Sequence, residues 1–144
     1  MTLWSSEEAK KATRGRLVGS WSASGVSIDS RTLQKGDLFI ALNVNRGGHD
    51  FVNDAFCRGA AAALVSRIPD NVPHSKPLLV VKDVKKALEN LALASRRRSR
   101  ARILAVTGSV GKTSTKDMLN KVLSCQGPTH VSYSSYNNQW GVPL

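Results

Sequence analysis

Cysteine is scarce in this 144-residue chain. There are two, Cys57 and Cys125, far apart and outside any Cys-x-x-Cys pair. With three scattered histidines, that argues against a structural zinc site, and the thiols read as reduced cysteines of a cytoplasmic protein. Long apolar runs are also missing. None approaches the roughly 18 residues that a membrane-spanning helix requires, so no membrane insertion is expected. The N-terminal Met-Thr-Leu-Trp-Ser-Ser-Glu-Glu has no basic head followed by an apolar stretch, so no secretion signal is expected there. Internal repeats and low-complexity tracts are absent. Acidic residues are few: 10 Asp and Glu stand against 21 Lys and Arg, a formal charge of +11. Five of the basic residues form one patch, Arg96, Arg97, Arg98, Arg100 and Arg102. No nucleic-acid recognition motif accompanies that charge. The expected partners are therefore small polyanions, not nucleic acid.

What is present is an alternation of helix and strand signals. Ser5 and Glu8 have capping-box spacing, so a helix should start there and end near Gly15. Short strands are expected at 25–29, 38–42, 62–66 and 78–81, with Gly36 free to take positive φ in the turn before the second. A helix should begin at His49 or Asp50, with Phe51, Ala55 and Phe56 on its buried face. Asp83 should cap a long helix whose Val84, Ala87, Leu88, Leu91 and Ala94 recur at helical spacing. The basic stretch 100–102 then marks a boundary. Residues 1–100 read as one α/β unit and residues 103–144 as the start of another. In the second, 103–106 should be a buried strand and 113–124 a helix with Met118, Leu119, Val122 and Leu123 as its buried stripe. Val131 should open a further short strand.

The richest chemistry lies between that strand and that helix, in Thr107-Gly108-Ser109-Val110-Gly111-Lys112-Thr113-Ser114. The common phosphate-binding pattern GxxxxGK[ST] is matched in its second half, but Val106 stands where its first glycine belongs. Gly108 and Gly111 leave the backbone N–H groups free to converge on phosphate oxygens. Lys112 suits the β- and γ-phosphates, and the Thr113 hydroxyl suits Mg²⁺. A plain strand-to-helix turn with a solvated lysine is the alternative. The order strand, loop, helix favours the phosphate cradle.

The segment 107–116 resembles the ATP loop of the Mur ligase family, whose loop is shorter than the common one. The form with Ser109, Thr115-Lys116 and Asp117 is most similar to the branch that joins D-alanyl-D-alanine to UDP-N-acetylmuramoyl-tripeptide. Three further stretches resemble the family in the right order: 27–42, containing Asp29-Ser30-Arg31; Gly48-His49-Asp50-Phe51-Val52; and 136–144, containing Asn137-Asn138. The resemblance implies an N-terminal UDP-sugar-binding domain of mixed strands and helices, residues 1–100. The start of a P-loop α/β ATPase domain, residues 103–144, would follow it. It implies an ATP- and Mg²⁺-dependent ligase that activates the tripeptide carboxylate as an acyl phosphate, which D-alanyl-D-alanine then attacks. Lys112 would be the catalytic cation, residues 107–114 the ATP site, and Thr113 the metal ligand. Asp29, Ser30, Arg31, Gly48, His49, Asn137 and Asn138 would contact substrate. Each has a plainer reading: a surface ion pair for Arg31, a turn cap for Ser30, a solvent-facing helix start for His49, a turn for the asparagines. Related ligases adding the third amino acid, and a stand-alone UDP-sugar-binding domain, are the alternatives. Family members are much longer than this chain, so it is expected to be a fragment without turnover of its own.

Overall fold

A computed structural model describes residues 2–44, 46–132 and 143, with the backbone alone described at 43, 44 and 46. The elements run β1 (Trp4–Ser5), α1 (Ser6–Thr13), β2 (Arg16–Val18), β3 (Ser22–Ala23), β4 (Gly25–Ser27) and β5 (Asp37–Ile40). They continue with β6 (Asn43–Val44), β7 (Arg46–Gly47), a 3-10 turn (Gly48–Phe51), α2 (Val52–Cys57), β8 (Ala62–Val65) and β9 (Leu78–Val80). Two helices follow, α3 (Val84–Arg98) and α4 (Lys112–Ser124).

The main sheet has the order β2-β9-β8-β5-β4. β4, β5, β8 and β9 are parallel, and β2 joins one edge antiparallel to β9. β5, β8 and β9 are buried on both faces, which is why they read as continuous apolar runs. Their side chains alternate with period two. Leu38, Ile40, Leu64 and Leu79 enter a core under α1 and α3, whereas Phe39, Ala41, Ala63, Val65 and Leu78 enter a second core with α2. The architecture is thus helix, sheet, helix.

Local signals explain the helix starts. Ser5 accepts from the Glu8 N–H, and the Glu8 carboxylate accepts from the Ser5 N–H, the reciprocal capping box expected. The Asp83 carboxylate accepts from the Lys86 N–H at 3.0 Å and starts α3. Gly36 turns at φ +93° before β5, as expected. The arginine patch is partly structural. The Arg98 guanidinium lies 4.0 Å from the Trp4 ring centroid, donates to the Leu3 carbonyl and pairs with Glu8 at 3.5 Å, tying the end of α3 to the start of α1.

Several expectations need correction. The helix at 49 begins instead as a 3-10 turn. Val52 takes the buried position, and Phe51 is exposed. β2 and the β1–β3 pair were not foreseen, because two- and three-residue strands carry too little periodicity to read. The largest difference is at 103–106, where no strand forms: the backbone there pairs with no other segment among the described residues. A strand needs a ladder partner, and Ile103 and Leu104 are 59% and 62% exposed. α4 matches its expected span, yet none of its residues is buried. Met118 and Val122 lie open because no sheet stands against the helix among the described residues. Residues 131 and 132 are irregular, and the rest of the expected last strand lies outside the described residues.

Candidate functional site

β4, β5 and β8 run parallel, so the segments that follow them leave the same edge of the sheet. Ligands of open α/β sheets bind in the crevice outside the carboxyl ends of the strands. Asp29-Ser30-Arg31 follows β4. Gly48 and His49 come after β5, and Ser66 with Arg67 follows β8. Two of the expected substrate elements are thereby placed on one edge.

The first is a tight turn. One Asp29 carboxylate oxygen accepts from the Arg31 N–H at 2.9 Å, an Asx turn. The same carboxylate is gripped by the Arg31 guanidinium, Nε at 2.9 Å and Nη2 at 2.6 Å. These Arg31 hydrogen bonds hold the Asp29 carboxyl below the usual range for aspartate. The Arg31 side chain stays 80% exposed. It is therefore aimed by Asp29 while remaining open to a ligand. Ser30 is buried.

The second element is fixed by close approach and by a buried ring. A Cβ at Gly48 would stand 2.7 Å from the Ala41 carbonyl carbon and 2.8 Å from the Leu42 nitrogen, and closer still to the Leu42 oxygen. Only glycine fits there. His49 is buried, not facing solvent, and its Nε2 accepts from the Ser66 N–H at 3.0 Å. Nδ1 must then carry the proton of the neutral ring. Burial first, then the nearby Arg67, lowers its pKa, with Asp50 opposing. His49 lines a cleft of about 240 Å³ with Asp50, Arg67, Pro69, Asp70 and Asn71. A larger hollow of about 540 Å³ along α1 holds none of the expected site residues.

This ring has a pH signature. The native pKa lies below the ordinary value of about 6.5, so the unfolded chain binds more protons as acid is added. The stability His49 contributes is complete above about pH 6.5 and is lost as pH falls through the lower native value. Thermal melts from pH 7.5 to 5 should show a fall that His49→Gln flattens. Parallel curves for the two proteins would contradict this role.

The phosphate loop lies apart from that edge in sequence. Gly108 and Gly111 take φ of +151° and +78°, the left-handed half of the map that glycine permits. Gly111 is the residue before α4, and the first helical bond runs from the Thr115 N–H to the Gly111 carbonyl at 2.9 Å. The N–H groups of Lys112, Thr113 and Ser114 precede it and have no helical acceptor, as an anion site at a helix start requires. The Lys112 ammonium folds over the loop onto the Gly108 carbonyl. Thr107, Ser109, Val110 and Thr113 are exposed. These residues fit a polyphosphate with a cation on Thr113. Asn137 and Asn138 lie outside the described residues. Ser66 and Arg67, which flank His49, were missed in the sequence. Asp54 and Arg58 stand four apart, the spacing of a helical ion pair, and close at 3.1 Å.

Comparison with known proteins shows the family. Residues 22–96 match the family model described as Mur ligase family, catalytic domain, and residues 106–144 match Mur ligase middle domain. The chain belongs to the Mur ligase family. A UDP-N-acetylmuramoyl-tripeptide–D-alanyl-D-alanine ligase from Rickettsia prowazekii is 36% identical over 97% of this chain, which covers 31% of that relative. The protein so named from Escherichia coli is 43% identical over 90% of the chain and 28% of its own length. Among solved structures, MurF from Acinetobacter baumannii superposes with a TM-score of 0.82 at 33% identity, covering 97% of this chain and 32% of that one. MurF from Thermotoga maritima in complex with ADP gives 0.64 at 29% identity, over 83% of this chain and 27% of that one. The chain spans about a third of the length of the relatives it matches. No described helix is long and apolar enough to cross a membrane. No metal-binding cluster of His, Cys, Asp or Glu occurs among the described residues.

Proposed function

We propose that this Mur ligase chain supplies the UDP-sugar-binding domain and the ATP loop of a cytoplasmic ligase. That enzyme joins D-alanyl-D-alanine to UDP-N-acetylmuramoyl-tripeptide in peptidoglycan precursor synthesis. The observation that carries the reading is the shared edge of β4, β5 and β8. There an exposed arginine aimed by Asp29 and a glycine-histidine pair flank the crevice where an α/β sheet takes its ligand. The relatives' names supply the substrate, and the ADP complex of one relative supports ATP as the phosphoryl donor.

The chemistry asks for a polyanion binder and a phosphate cradle. A carboxylate is a poor electrophile, and phosphorylating it provides a leaving group for the attacking amine. The Lys112 ammonium would leave the Gly108 carbonyl and neutralise charge on the transferring phosphoryl. The N–H groups of residues 112–114 would hold the phosphate oxygens in place. Mg²⁺, when bound through the Thr113 hydroxyl, would supply further charge neutralisation at the phosphates. Arg31, already oriented, would meet the UDP-sugar at little entropic cost.

Isothermal titration of residues 1–144 tests this. UDP-N-acetylmuramoyl-tripeptide should bind, and Arg31→Ala should weaken it by about tenfold. Mg-ATP should bind more weakly than the UDP-sugar, because the loop and α4 stand exposed. Tighter binding of Mg-ATP, or a UDP-sugar affinity indifferent to Arg31, would contradict the proposal.

A further inference from the structure

We infer that Arg67 is a further substrate-binding residue, a contact for the diphosphate of the UDP-sugar, and that His49 is its positioning residue, acting through Ser66. The inference rests on the proposed function of this sheet edge.

Arg31 is held by Asp29 at 2.6 Å. Arg67 is exposed and makes no ion pair among the described residues. Asp50 and Asp70 line the same cleft without closing on it. The backbone beneath Arg67 is pinned on both sides. On one side the Ser66 N–H donates to the His49 Nε2 at 3.0 Å, and the Ser66 hydroxyl lies 3.2 Å from the same nitrogen. On the other, Ile68 packs against the α2 core, and the Val72 N–H donates to the Pro69 carbonyl at 3.2 Å. A pinned backbone under an open side chain limits the ordering lost on binding.

β4 and β8 lie on either side of β5. The segments carrying Arg31 and Arg67 therefore leave the sheet roughly 10 Å apart, twice the strand spacing. A group held between them meets a guanidinium from each side. The diphosphate is the part of a UDP-sugar that suits this, because the planar fork of arginine matches phosphate oxygens. Asp50 and Asp70 make the rest of the cleft unfavourable to an anion, which confines its approach to Arg67. His49 is 4% exposed and its Nε2 is taken by Ser66, so that nitrogen is not offered to a ligand. Burial, and then the Arg67 charge, lower its pKa and keep Nε2 an acceptor. The ring thus fixes where Ser66, and with it Arg67, sits relative to the segment leaving β5.

Titration calorimetry and ³¹P resonance spectra with saturating UDP-N-acetylmuramoyl-tripeptide test this on residues 1–144. The variants are Arg67→Ala, His49→Ala, His49→Gln, the double variant His49→Ala/Arg67→Ala and Arg31→Ala, each with a thermal melt. Arg67→Ala and His49→Ala should each weaken binding by about tenfold. The double variant should lose no more than the worse single one, because both remove the same contact. His49→Gln returns an acceptor near the place of Nε2 and should bind within about threefold of the wild type. In Arg67→Ala the bound phosphorus resonances should move toward their free positions. Arg67 is exposed, so that arm stands even if His49→Ala unfolds. If Arg31→Ala weakens binding while Arg67→Ala stays within twofold of the wild type, the inference fails and the substrate reading stands. Phosphorus resonances unmoved in Arg67→Ala place its contact away from the diphosphate and overturn the assignment. Additive losses in the double variant, or no recovery in His49→Gln, overturn the positioning role. If the wild type does not bind, or Arg31→Ala changes nothing, the substrate reading itself fails and the inference falls with it.

Discussion

Gly48→Ala should destabilise the N-terminal unit by about 3 kcal/mol, the upper range for forcing an extra carbon into a packed interior. The added Cβ would meet three backbone atoms of Ala41 and Leu42, all at the exit of β5. Side chains can move aside, but these atoms belong to the strand end itself. Relief requires β5 or the 3-10 turn to shift, and His49 would lose its bond to Ser66. For a unit of this size about 1 kcal/mol moves the melting temperature by about 4–8 °C, so a fall of more than about 12 °C is expected. A melting temperature within about 4 °C of the wild type would show that the strand exit has room that the distances deny. Gly111→Ala makes a useful contrast. There no atom lies within 4 Å of the added carbon, and only the positive φ opposes it.

Lys112→Ala should have the largest effect on chemistry. In an active ligase that contains these residues, it should lower ATP-dependent ligation by about 10²–10³, the size of loss seen when one charge-stabilising donor is removed from a reacting group. The UDP-sugar affinity of residues 1–144 should stay within twofold, because Lys112 touches the Gly108 carbonyl and no part of the β4–β5–β8 edge. Lys112→Arg should not restore the rate, since a planar fork does not replace a point charge inside a tight loop. Ligation within about threefold of the wild type would remove Lys112 from the phosphoryl step.

Much of the fold was legible because its signals are local. The Ser5–Glu8 capping box, the Asp83 cap and the 3.6-residue stripe of α3 are each written within a few residues, and each formed as expected. β5, β8 and β9 were legible as short apolar runs because both of their faces are buried. The strand at 103–106 failed for the complementary reason. An apolar run states that a segment can be buried, but a ladder partner decides whether it is, and none appears among the described residues. The same missing partner leaves Met118 and Val122 in solvent on a correctly bounded helix. At the site, the motif residues Asp29, Arg31, Gly48 and His49 were legible as motifs. Their supports were not. Ser66 and Arg67 matter because the sheet order brings them to that edge, and sheet order is a non-local fact. The histidine shows the limit most clearly: its sequence context suggests a solvent-facing helix start, whereas its imidazole is the buried acceptor for a backbone N–H beyond another strand.

A ¹H–¹⁵N correlation spectrum of residues 1–144, titrated with UDP-N-acetylmuramoyl-tripeptide, would locate the bound substrate directly. The amide shifts should concentrate at 29–31, 48–50 and 66–67, the segments leaving β4, β5 and β8, while α1, α3 and the loop at 107–114 remain close to their free positions. Shifts confined to the α1–α3 face, or to the loop at 107–114, would place the UDP-sugar elsewhere and contradict a substrate crevice at this sheet edge.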